Sequence, residues 1–302
     1  MRHTPAKLAL PLLFALLSGA PPVPHFQLTA ASGRPSPAEL TVMTFNLRFA
    51  SSTPPNNWAD RRPIVRDVIA RRRPDVIGTQ EGLYHQLVDM ATDLHAYRWI
   101  GTGRDGGSSG EFMAIFYRDE RLEALAYDHY WLSDTPDRIG SATWGNHYPR
   151  MVTWVRFRDR STGDTIVVIN THLDHEVQAS RERSAELIVR RTAVMDSSTA
   201  IVLLGDFNTP AGSPVHDLLT GPGGFRDSWR ELGLADTLAT YHDFGGVATA
   251  RGGKRIDWVL LRGPVSALSS EIVTDAQDGQ YPSDHFPVIA RLALTGRPPS
   301  VK

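Results

Sequence analysis

The stretch that decides the fold runs from Leu40 to Arg48 and reads LTVMTFNLR. Its apolar and β-branched residues predict a strand, which ends in the polar sequence Asn46-Leu47-Arg48. No glycine-rich turn follows this strand, although such a turn is the signature of dinucleotide-binding folds. The first strand therefore argues against a dinucleotide fold.

The rest of the chain repeats a rhythm of short apolar strand and polar loop. Residues 61–71 place apolar side chains on one face and arginines on the other, which predicts a helix that ends at Pro74. The longest predicted helix is 176–195. Strands are predicted at 40–47, 75–78, 112–117, 152–157, 165–169, 201–204, 256–261 and 286–290. Because strands outnumber helices, we expect one α+β domain in which sheets pack together with helices outside.

Composition limits the function only weakly. The chain has 41% hydrophobic and 22% charged residues, as expected of a globular protein. Its formal net charge is -1. This charge is compatible with a nucleic-acid partner but does not indicate one. Cysteine is absent, which excludes disulfides, thiolate metal sites and a cysteine nucleophile.

The N-terminus resembles a secretory signal. Arg2, His3 and Lys7 form a basic start, and an apolar run over 8–17 is too short to span a bilayer. A signal peptide predicts a secreted or periplasmic protein; a buried helix is the alternative. The predicted organisation is a signal peptide at 1–20, with cleavage as late as residue 30, a Pro/Ser/Ala-rich spacer at 21–38, a folded domain at 39–295 and a tail at 296–302. No later segment predicts stable membrane insertion.

Polar residues with metal-binding or proton-transferring chemistry follow the apolar strands. Polar groups at strand ends can converge on one rim of a sheet, whereas burying them inside the strands would be costly. For any single residue, an ordinary loop carboxylate or turn amide is the competing interpretation. The residues are Asn46, Glu81, His172, Asp206, Asn208, Asp284 and His285.

Six motifs in order carry a resemblance to a known family. They are Thr44-Phe45-Asn46-Leu47-Arg48, Gln80-Glu81, Asn170-Thr171-His172-Leu173-Asp174, Gly205-Asp206-Phe207-Asn208, Arg255-Ile256-Asp257 and Ser283-Asp284-His285-Phe286-Pro287-Val288. Together they resemble the endonuclease/exonuclease/phosphatase (DNase I-like) superfamily, and the chain is similar to a secreted bacterial-type member. The resemblance implies a four-layer α/β sandwich with two packed mixed β-sheets flanked by helices. It also implies hydrolysis of a phosphoester, with 39–295 as the catalytic domain.

The metal side of the expected site centres on Glu81. A hard divalent cation, Mg²⁺ or Mn²⁺, prefers carboxylate oxygens and can stabilise charge on a phosphoryl group. The resemblance implies that Asn46 and Asp284 complete or support this site, and a second metal position stays open. A surface carboxylate or a helix-start residue is the alternative interpretation of Glu81.

The phosphate side of the expected site centres on His285. Histidine can hold or release a proton near neutrality because its unperturbed pKa is about 6.5. The resemblance places Asp257 as the carboxylate that orients this ring. An aspartate inside an apolar strand needs a partner in any case, and a salt bridge to Arg255 or Arg262 is the competing explanation.

The remaining roles also come from the resemblance. It implies that Glu111 orients His172, and that Asp206 orients or deprotonates the attacking water. Asn208 would donate a hydrogen bond to a phosphoryl oxygen. Arg150, just before a predicted strand, is the expected phosphate clamp, although a surface arginine would have no such role.

Substrate signals are few. Four aromatic residues precede Arg150 and could stack on a base or sugar, or simply pack under a long loop: Tyr130, Trp131, Trp144 and Tyr148. Residues 104–110 are expected to form a flexible rim loop. The leading prediction is a secreted, metal-dependent phosphodiesterase or nuclease that acts as a monomer. A phosphomonoesterase acting on sugar, inositol or lipid head-group phosphates is the alternative, and a phosphate-binding module without turnover is a third reading.

Overall fold

The computed structural model describes residues 39–294. The predicted signal peptide, spacer and tail lie outside these residues and stay predictions. Within 39–294, no helix combines the length and the apolar character needed to cross a bilayer.

The described chain contains fourteen strands and six helices. The strands are β1 (Glu39–Asn46), β2 (Val76–Gln80), β3 (Gly82–Leu83), β4 (Tyr97–Ile100), β5 (Glu111–Phe112), β6 (Ile115–Arg118), β7 (Leu122–Trp131), β8 (Met151–Asp159), β9 (Thr165–His172), β10 (Ala200–Asp206), β11 (Arg226–Asp227), β12 (Asp257–Arg262), β13 (Val265–Ile272) and β14 (Val288–Leu294). The helices are α1 (Trp58–Arg72), α2 (Tyr84–Asp93), α3 (Gln178–Ala193), α4 (Pro214–Thr220), α5 (Ser228–Glu231) and α6 (Gly246–Ala250).

Two six-stranded mixed sheets form the centre of the fold. The first has the order β13-β14-β1-β2-β6-β4, and the second has the order β11-β12-β10-β9-β8-β7. Only one pair in each sheet is parallel, β1 with β2 and β9 with β10, while the other pairs are antiparallel. The predicted pair of mixed sheets is confirmed.

Alternating side chains on the central strands build the layers. Leu40 and Val42 of β1 point into a core shared with Val202 and Leu204 of β10, so the two sheets pack face to face. The opposite face of β1 carries Met43 and packs beneath α1 and α2. The outer face of β10 packs in the same way beneath α3 and α4. The predicted four-layer α/β sandwich is confirmed.

Close approach of the two sheets depends on a small residue. A Cβ atom at Gly78 would lie 1.9 Å from Cδ1 of Leu204 and 2.9 Å from the side chain of Asn170. Asn170 in turn accepts a hydrogen bond of 2.7 Å from Nε2 of Gln80, and its own amide donates to the backbone oxygens of Thr79 and Ala114. This buried polar link fixes β2 against β9 directly beneath their carboxyl ends.

The two predicted helices lie close to their expected positions. Helix α1 starts earlier than predicted because the side chain of Asn57 accepts a hydrogen bond from the backbone N–H of Asp60. It ends at Arg73, which adopts a left-handed conformation (φ 46°) just before Pro74. Helix α3 occupies 178–193 of the predicted 176–195.

Two of the predicted strands needed correction, and two long edge strands were not predicted. The predicted strand 112–117 is broken into β5 and β6, because the backbone oxygen of Ala114 turns to accept hydrogen bonds from Thr79 and Asn170. The predicted strand 286–290 starts at Val288 instead, after the loop that carries His285. Strands β7 and β13 carry no apolar alternation because they lie at sheet edges with several exposed residues, and no pattern predicted them.

A buried arginine ties α1 to two loops. Arg61 is fully buried, and its guanidinium donates to the backbone oxygens of Leu47 (2.6 Å) and Pro282 (2.8 Å). It also donates to the backbone oxygens of Asn56, Arg48 and Phe49. Burial lowers the pKa of Arg61 to about 10, and the nearby Asp284 partly offsets that effect. One side chain thus holds the loop after β1 against the loop that precedes Asp284.

Candidate active site

A cleft of about 550 Å³ opens where the carboxyl ends of the central strands meet. Eight of the ten residues proposed from the sequence line it: Glu81, Glu111, Arg150, His172, Asp206, Asn208, Asp284 and His285. The other two, Asn46 and Asp257, lie just beneath and are hydrogen-bonded to residues of the cleft wall. The sandwich therefore brings the whole predicted set together.

The backbone bends sharply where three strands enter the cleft. Arg48 (φ 54°), Glu81 (φ 60°) and Asn208 (φ 49°) adopt left-handed conformations just after β1, β2 and β10. Residues other than glycine rarely adopt such conformations, and they concentrate at functional sites where surrounding contacts hold them in place. The strained positions coincide with the residues whose side chains form the site.

Asn46 links two carboxylates across the two sheets. Its Nδ2 donates to Oε1 of Glu81 at 3.0 Å and to Oδ2 of Asp206 at 3.0 Å. Its Oδ1 accepts from the backbone N–H of Arg48 at 2.9 Å. In this arrangement the amide nitrogen of Asn46 positions the carboxylates, and its amide oxygen keeps a second lone pair for a cation.

His285 and Asp257 form the expected pair. Nδ1 of His285 lies 2.9 Å from Oδ2 of Asp257, and both side chains are buried. Burial lowers the pKa of His285, but Asp257 and Asp206 outweigh it and raise the pKa to about 10. Arg255, the alternative partner of Asp257, pairs with Asp227 and Asp236 instead. At neutral pH His285 is therefore protonated on both ring nitrogens. Its Nε2 faces Oδ2 of Asp206 at 3.8 Å.

The carboxylates of the cleft fit a hard divalent cation. Glu81 and Asp206 each offer a carboxylate oxygen, and these atoms lie within 4.8 Å of each other. Asp284 adds a carboxylate on the other side of Arg48, whose guanidinium lies 3.9 Å from Glu81 and 3.5 Å from Asp284. Burial raises the pKa of Asp206 and of Asp284. Such a concentration of buried carboxylates is stabilised by a bound positive charge, so the donor set fits Mg²⁺ or Mn²⁺.

Asp206, Asn208 and His172 form a compact polar group at the ends of β9 and β10. Oδ1 of Asp206 accepts from the backbone N–H of Asn208 at 2.9 Å. Nδ2 of Asn208 donates to Nε2 of His172 at 2.9 Å and to the backbone oxygen of Leu173 at 3.0 Å. Burial lowers the pKa of His172, and Arg150 lowers it further, so the ring is neutral and accepts at Nε2.

The expected pair of Glu111 and His172 is not formed. Oε2 of Glu111 accepts instead from Nη1 of Arg104 at 2.7 Å, while Nδ1 of His172 is buried without a hydrogen-bond partner in the described chain. The reason is local. Strand β5 pairs with β3, and the backbone N–H of Arg104 bonds to the backbone oxygen of Glu111. These contacts place the arginine side chain next to the carboxylate. Burial raises the pKa of Glu111 to about 7, although Arg104 opposes the shift.

Arg150 is a buried residue of the cleft wall. Its Nη2 donates to Nδ1 of His175 at 2.9 Å, and its Nε lies 3.5 Å from Oδ2 of Asp174. Its Nη1 is buried and has no hydrogen-bond partner within 39–294. A guanidinium fixed on two sides with a remaining donor suits a phosphoryl oxygen.

Most of the predicted aromatic group is packing. Tyr130 and Trp144 belong to the core beneath α3, and Trp131 donates from its indole to the backbone oxygen of Arg104. Only Tyr148 lines the cleft, with 42% of its surface exposed. The aromatic residues before Arg150 therefore support the long loop, with one exception.

Comparison with known proteins identifies the family. The family model described as "Endonuclease/Exonuclease/phosphatase family" matches residues 43–285, which include all ten of the predicted site residues. The chain belongs to this family. Its members are hydrolases that act on phosphoesters. The family and the fold that the six sequence motifs predicted are confirmed.

Solved structures of endonuclease/exonuclease/phosphatase proteins match over nearly the whole described domain. A family member from Bacteroides vulgatus is 31% identical, with a TM-score of 0.79, over 85% of this chain and 99% of that one. A mannosyl-6-phosphatase from Bacteroides thetaiotaomicron is 30% identical, with a TM-score of 0.77, over 84% of this chain and 99% of that one. An uncharacterized mimivirus protein is 28% identical over 50% of this chain. The chain spans less than two thirds of the length of the curated relatives it matches.

The sequence patterns did not predict several residues of this family member's cleft. Tyr241 lies beside His285 with ring centroids 5.1 Å apart, and Arg104, His175 and Phe49 also line the walls. None of these residues belongs to the polar groups that come just after a predicted strand, which identified the other site residues. Arg104 lies in a glycine-rich loop that was expected to be flexible, and only the tertiary contacts reveal that it is fixed.

The stability of this endonuclease/exonuclease/phosphatase domain without metal should fall between pH 7 and pH 9. The pKa of His285 is raised to about 10 in the folded state, so the folded chain holds a proton that the unfolded chain releases near pH 6.5. That contribution is complete below the unfolded pKa and is lost as pH rises through the folded one, at about 1 kcal/mol per pH unit. Urea unfolding in EDTA would measure it. The slope should disappear in His285→Ala; an equal slope in this variant would contradict the assignment.

Proposed function

We propose that this chain is a divalent-metal-dependent phosphoester hydrolase in which water attacks phosphorus. The observation that carries the proposal is the hydrogen-bonded series Glu81–Asn46–Asp206, which meets the Asp257–His285 pair in one cleft. A module that only bound phosphate would not need an oriented, protonated histidine next to a carboxylate. The arrangement supports turnover rather than binding alone.

Glu81 and Asp284 would hold the cation. When bound, the metal would polarise a phosphoryl oxygen and neutralise charge that develops there. Asp206 accepts a proton from a water and directs its oxygen at phosphorus, since burial has already raised the pKa of this carboxylate. As the new bond to phosphorus forms, the bond from phosphorus to the leaving oxygen breaks, and that oxygen takes a proton from solvent. Arg150 donates to a phosphoryl oxygen from its unpaired Nη1, Asn208 would do so once its amide turns from His172, and His285 stabilises the phosphoryl group through the proton at Nε2.

Small phosphomonoesters are the substrates that the cleft supports best. A monoester has three non-bridging oxygens, and this cleft offers them donors at Nη1 of Arg150, which has no partner in the described chain, and at Nε2 of His285, beside the cation that would bind the third. The mannosyl-6-phosphatase that covers 84% of this chain supports the same choice. The diesterase or nuclease favoured by the sequence stays the second candidate, because all the residues that a diester would need are also present.

A metal-supplemented substrate screen tests the proposal. Purified protein in EDTA should be inactive, and Mg²⁺ or Mn²⁺ should restore hydrolysis of p-nitrophenyl phosphate and hexose phosphates. Bis-p-nitrophenyl phosphate, DNA, RNA and sphingomyelin should be turned over more slowly. Full activity in EDTA would contradict the metal dependence, and faster turnover of the diester would favour the second candidate.

Export is a separate part of the proposal. We infer a secreted or periplasmic protein from the basic and apolar start of residues 1–20. Fractionation of cells that express the full chain should place the protein outside the cytoplasm in a shortened form. Recovery of the full-length chain in the cytoplasm alone would contradict this part without affecting the proposed reaction.

A further inference from the structure

The cleft has a second polar wall that the proposed reaction does not use. Arg104 is only 8% exposed, and its Nε is buried without a hydrogen-bond partner in the described structure. Its Nη1 donates to Glu111, and its guanidinium lies over the ring of Tyr148, 4.7 Å from the centroid. A buried charged donor without a partner is costly unless a ligand or water supplies an acceptor.

The loop that carries Arg104 is firmly built. The backbone N–H of Gly103 bonds to the oxygen of Gly107 at 2.8 Å, and the indole of Trp131 donates to the oxygen of Arg104 at 2.7 Å. Gly106, Gly107 and Gly110 all have positive φ, which the tight turn requires. The guanidinium is thus held in a fixed place at the cleft wall.

The chemistry of this wall favours hydroxyl groups over a second anion. The carboxylate of Glu111 compensates the charge of Arg104, which weakens any attraction for another phosphate. Together the pair offers hydrogen-bond donors and acceptors, as sugar hydroxyls require. Tyr148 lies beside them beneath the Arg104 guanidinium, and 42% of its surface stays exposed, which offers an aromatic surface to the C–H groups of a sugar.

We propose that Arg104, Glu111 and Tyr148 form a subsite for a polyhydroxylated leaving group, so that the preferred substrates are sugar phosphates. The inference rests on the proposed phosphatase function and specifies its substrate class. Arg150 bonds to His175, the ring of His175 stacks on Tyr148 at 6.3 Å, and the Arg104 guanidinium lies over that same tyrosine ring, so a phosphate bound at Arg150 leaves its sugar near Arg104. Arg104 is a specificity-determining residue in this account.

The test compares two substrates in one variant. In Arg104→Lys the charge next to Glu111 remains, but the planar donors that would bind hydroxyls are lost. We expect kcat/KM for mannose 6-phosphate or glucose 6-phosphate to fall about 10-fold to 100-fold, mainly through KM. The fall for p-nitrophenyl phosphate, whose leaving group has no sugar hydroxyls, should be much smaller. Arg98→Lys makes the same exchange outside the cleft and should leave the ratio of the two substrates unchanged.

Three results would overturn the inference. Equal losses on both substrates in Arg104→Lys, with an unchanged thermal midpoint, would place Arg104 at the phosphate rather than at the sugar. A wild-type protein that hydrolyses p-nitrophenyl phosphate but shows no preference for hexose phosphates would remove the sugar subsite and keep the proposed function. A wild-type protein with Mg²⁺ that hydrolyses neither substrate would remove the proposed function itself.

Discussion

His285→Ala is expected to lower kcat about 10²-fold to 10⁴-fold, with a small change in KM. The ring is buried, is oriented by Asp257 at 2.9 Å and is protonated at neutral pH, so its contribution is made where charge develops on the phosphoryl group. Steady-state kinetics on p-nitrophenyl phosphate with saturating Mg²⁺ would measure the loss. Wild-type rates in this variant would show that the proposed centre is wrong.

Two further variants test the role of the His285 ring. His95→Ala removes a histidine at an exposed position outside the cleft and should leave kcat unchanged. Asp257→Asn keeps a polar group at the ring but removes the charge that raises the pKa of His285. The activity of Asp257→Asn should therefore decline at a lower pH than that of the wild type, and an unshifted pH profile would argue against the pair.

Glu81→Gln is expected to lower the apparent affinity for Mg²⁺ at least about 100-fold, since even residues that only support a ligand cost 10-fold to 100-fold when changed. Glu81 accepts hydrogen bonds on both carboxylate oxygens, from Asn46 and from the backbone of Phe49, so its position is fixed and its charge is the main quantity lost. Activity measured over a Mg²⁺ titration should recover partly at high metal concentration.

The control for this variant is Glu186→Gln on α3, where the carboxylate is exposed and pairs weakly with Arg190. Its Mg²⁺ titration should coincide with that of the wild type. If Glu81→Gln also coincided with the wild type, Glu81 would not be a metal ligand, and the cation would have to bind elsewhere.

The sequence predicted the central strands and their functional ends for a physical reason. A buried strand such as β10 is an apolar run that ends in the polar residue Asp206, with Asn208 just beyond, and polar groups at such a strand end can pair with one another at the edge of the core. Parallel pairing of β1 with β2 and of β9 with β10 then places Asn46, Glu81 and His172 at the same end. Local pattern and global fold agree at these positions.

The sequence did not predict contacts that depend on tertiary geometry. Nothing local distinguishes Glu111 bonded to Arg104 from Glu111 bonded to His172, because the two partners lie seven and sixty-one residues away and either could reach it. Edge strand β7 carries four consecutive exposed residues and so lacks the apolar alternation that identifies a strand. Single-sequence patterns report burial well and pairing poorly.

The two walls of the cleft differ in what fixes them. On the metal side, the Arg61 guanidinium holds the main chain of residues 47–49 and of Pro282, so this wall depends on carbonyl groups that every sequence possesses. On the opposite side, Arg104, Glu111 and Tyr148 contact one another through their side chains, in addition to the backbone hydrogen bond from Arg104 to Glu111. Evolution could therefore exchange the second set and redirect substrate choice while the reaction centre stays intact. Relatives that keep the buried arginine and differ at the opposite wall would then share a reaction and differ in what they hydrolyse.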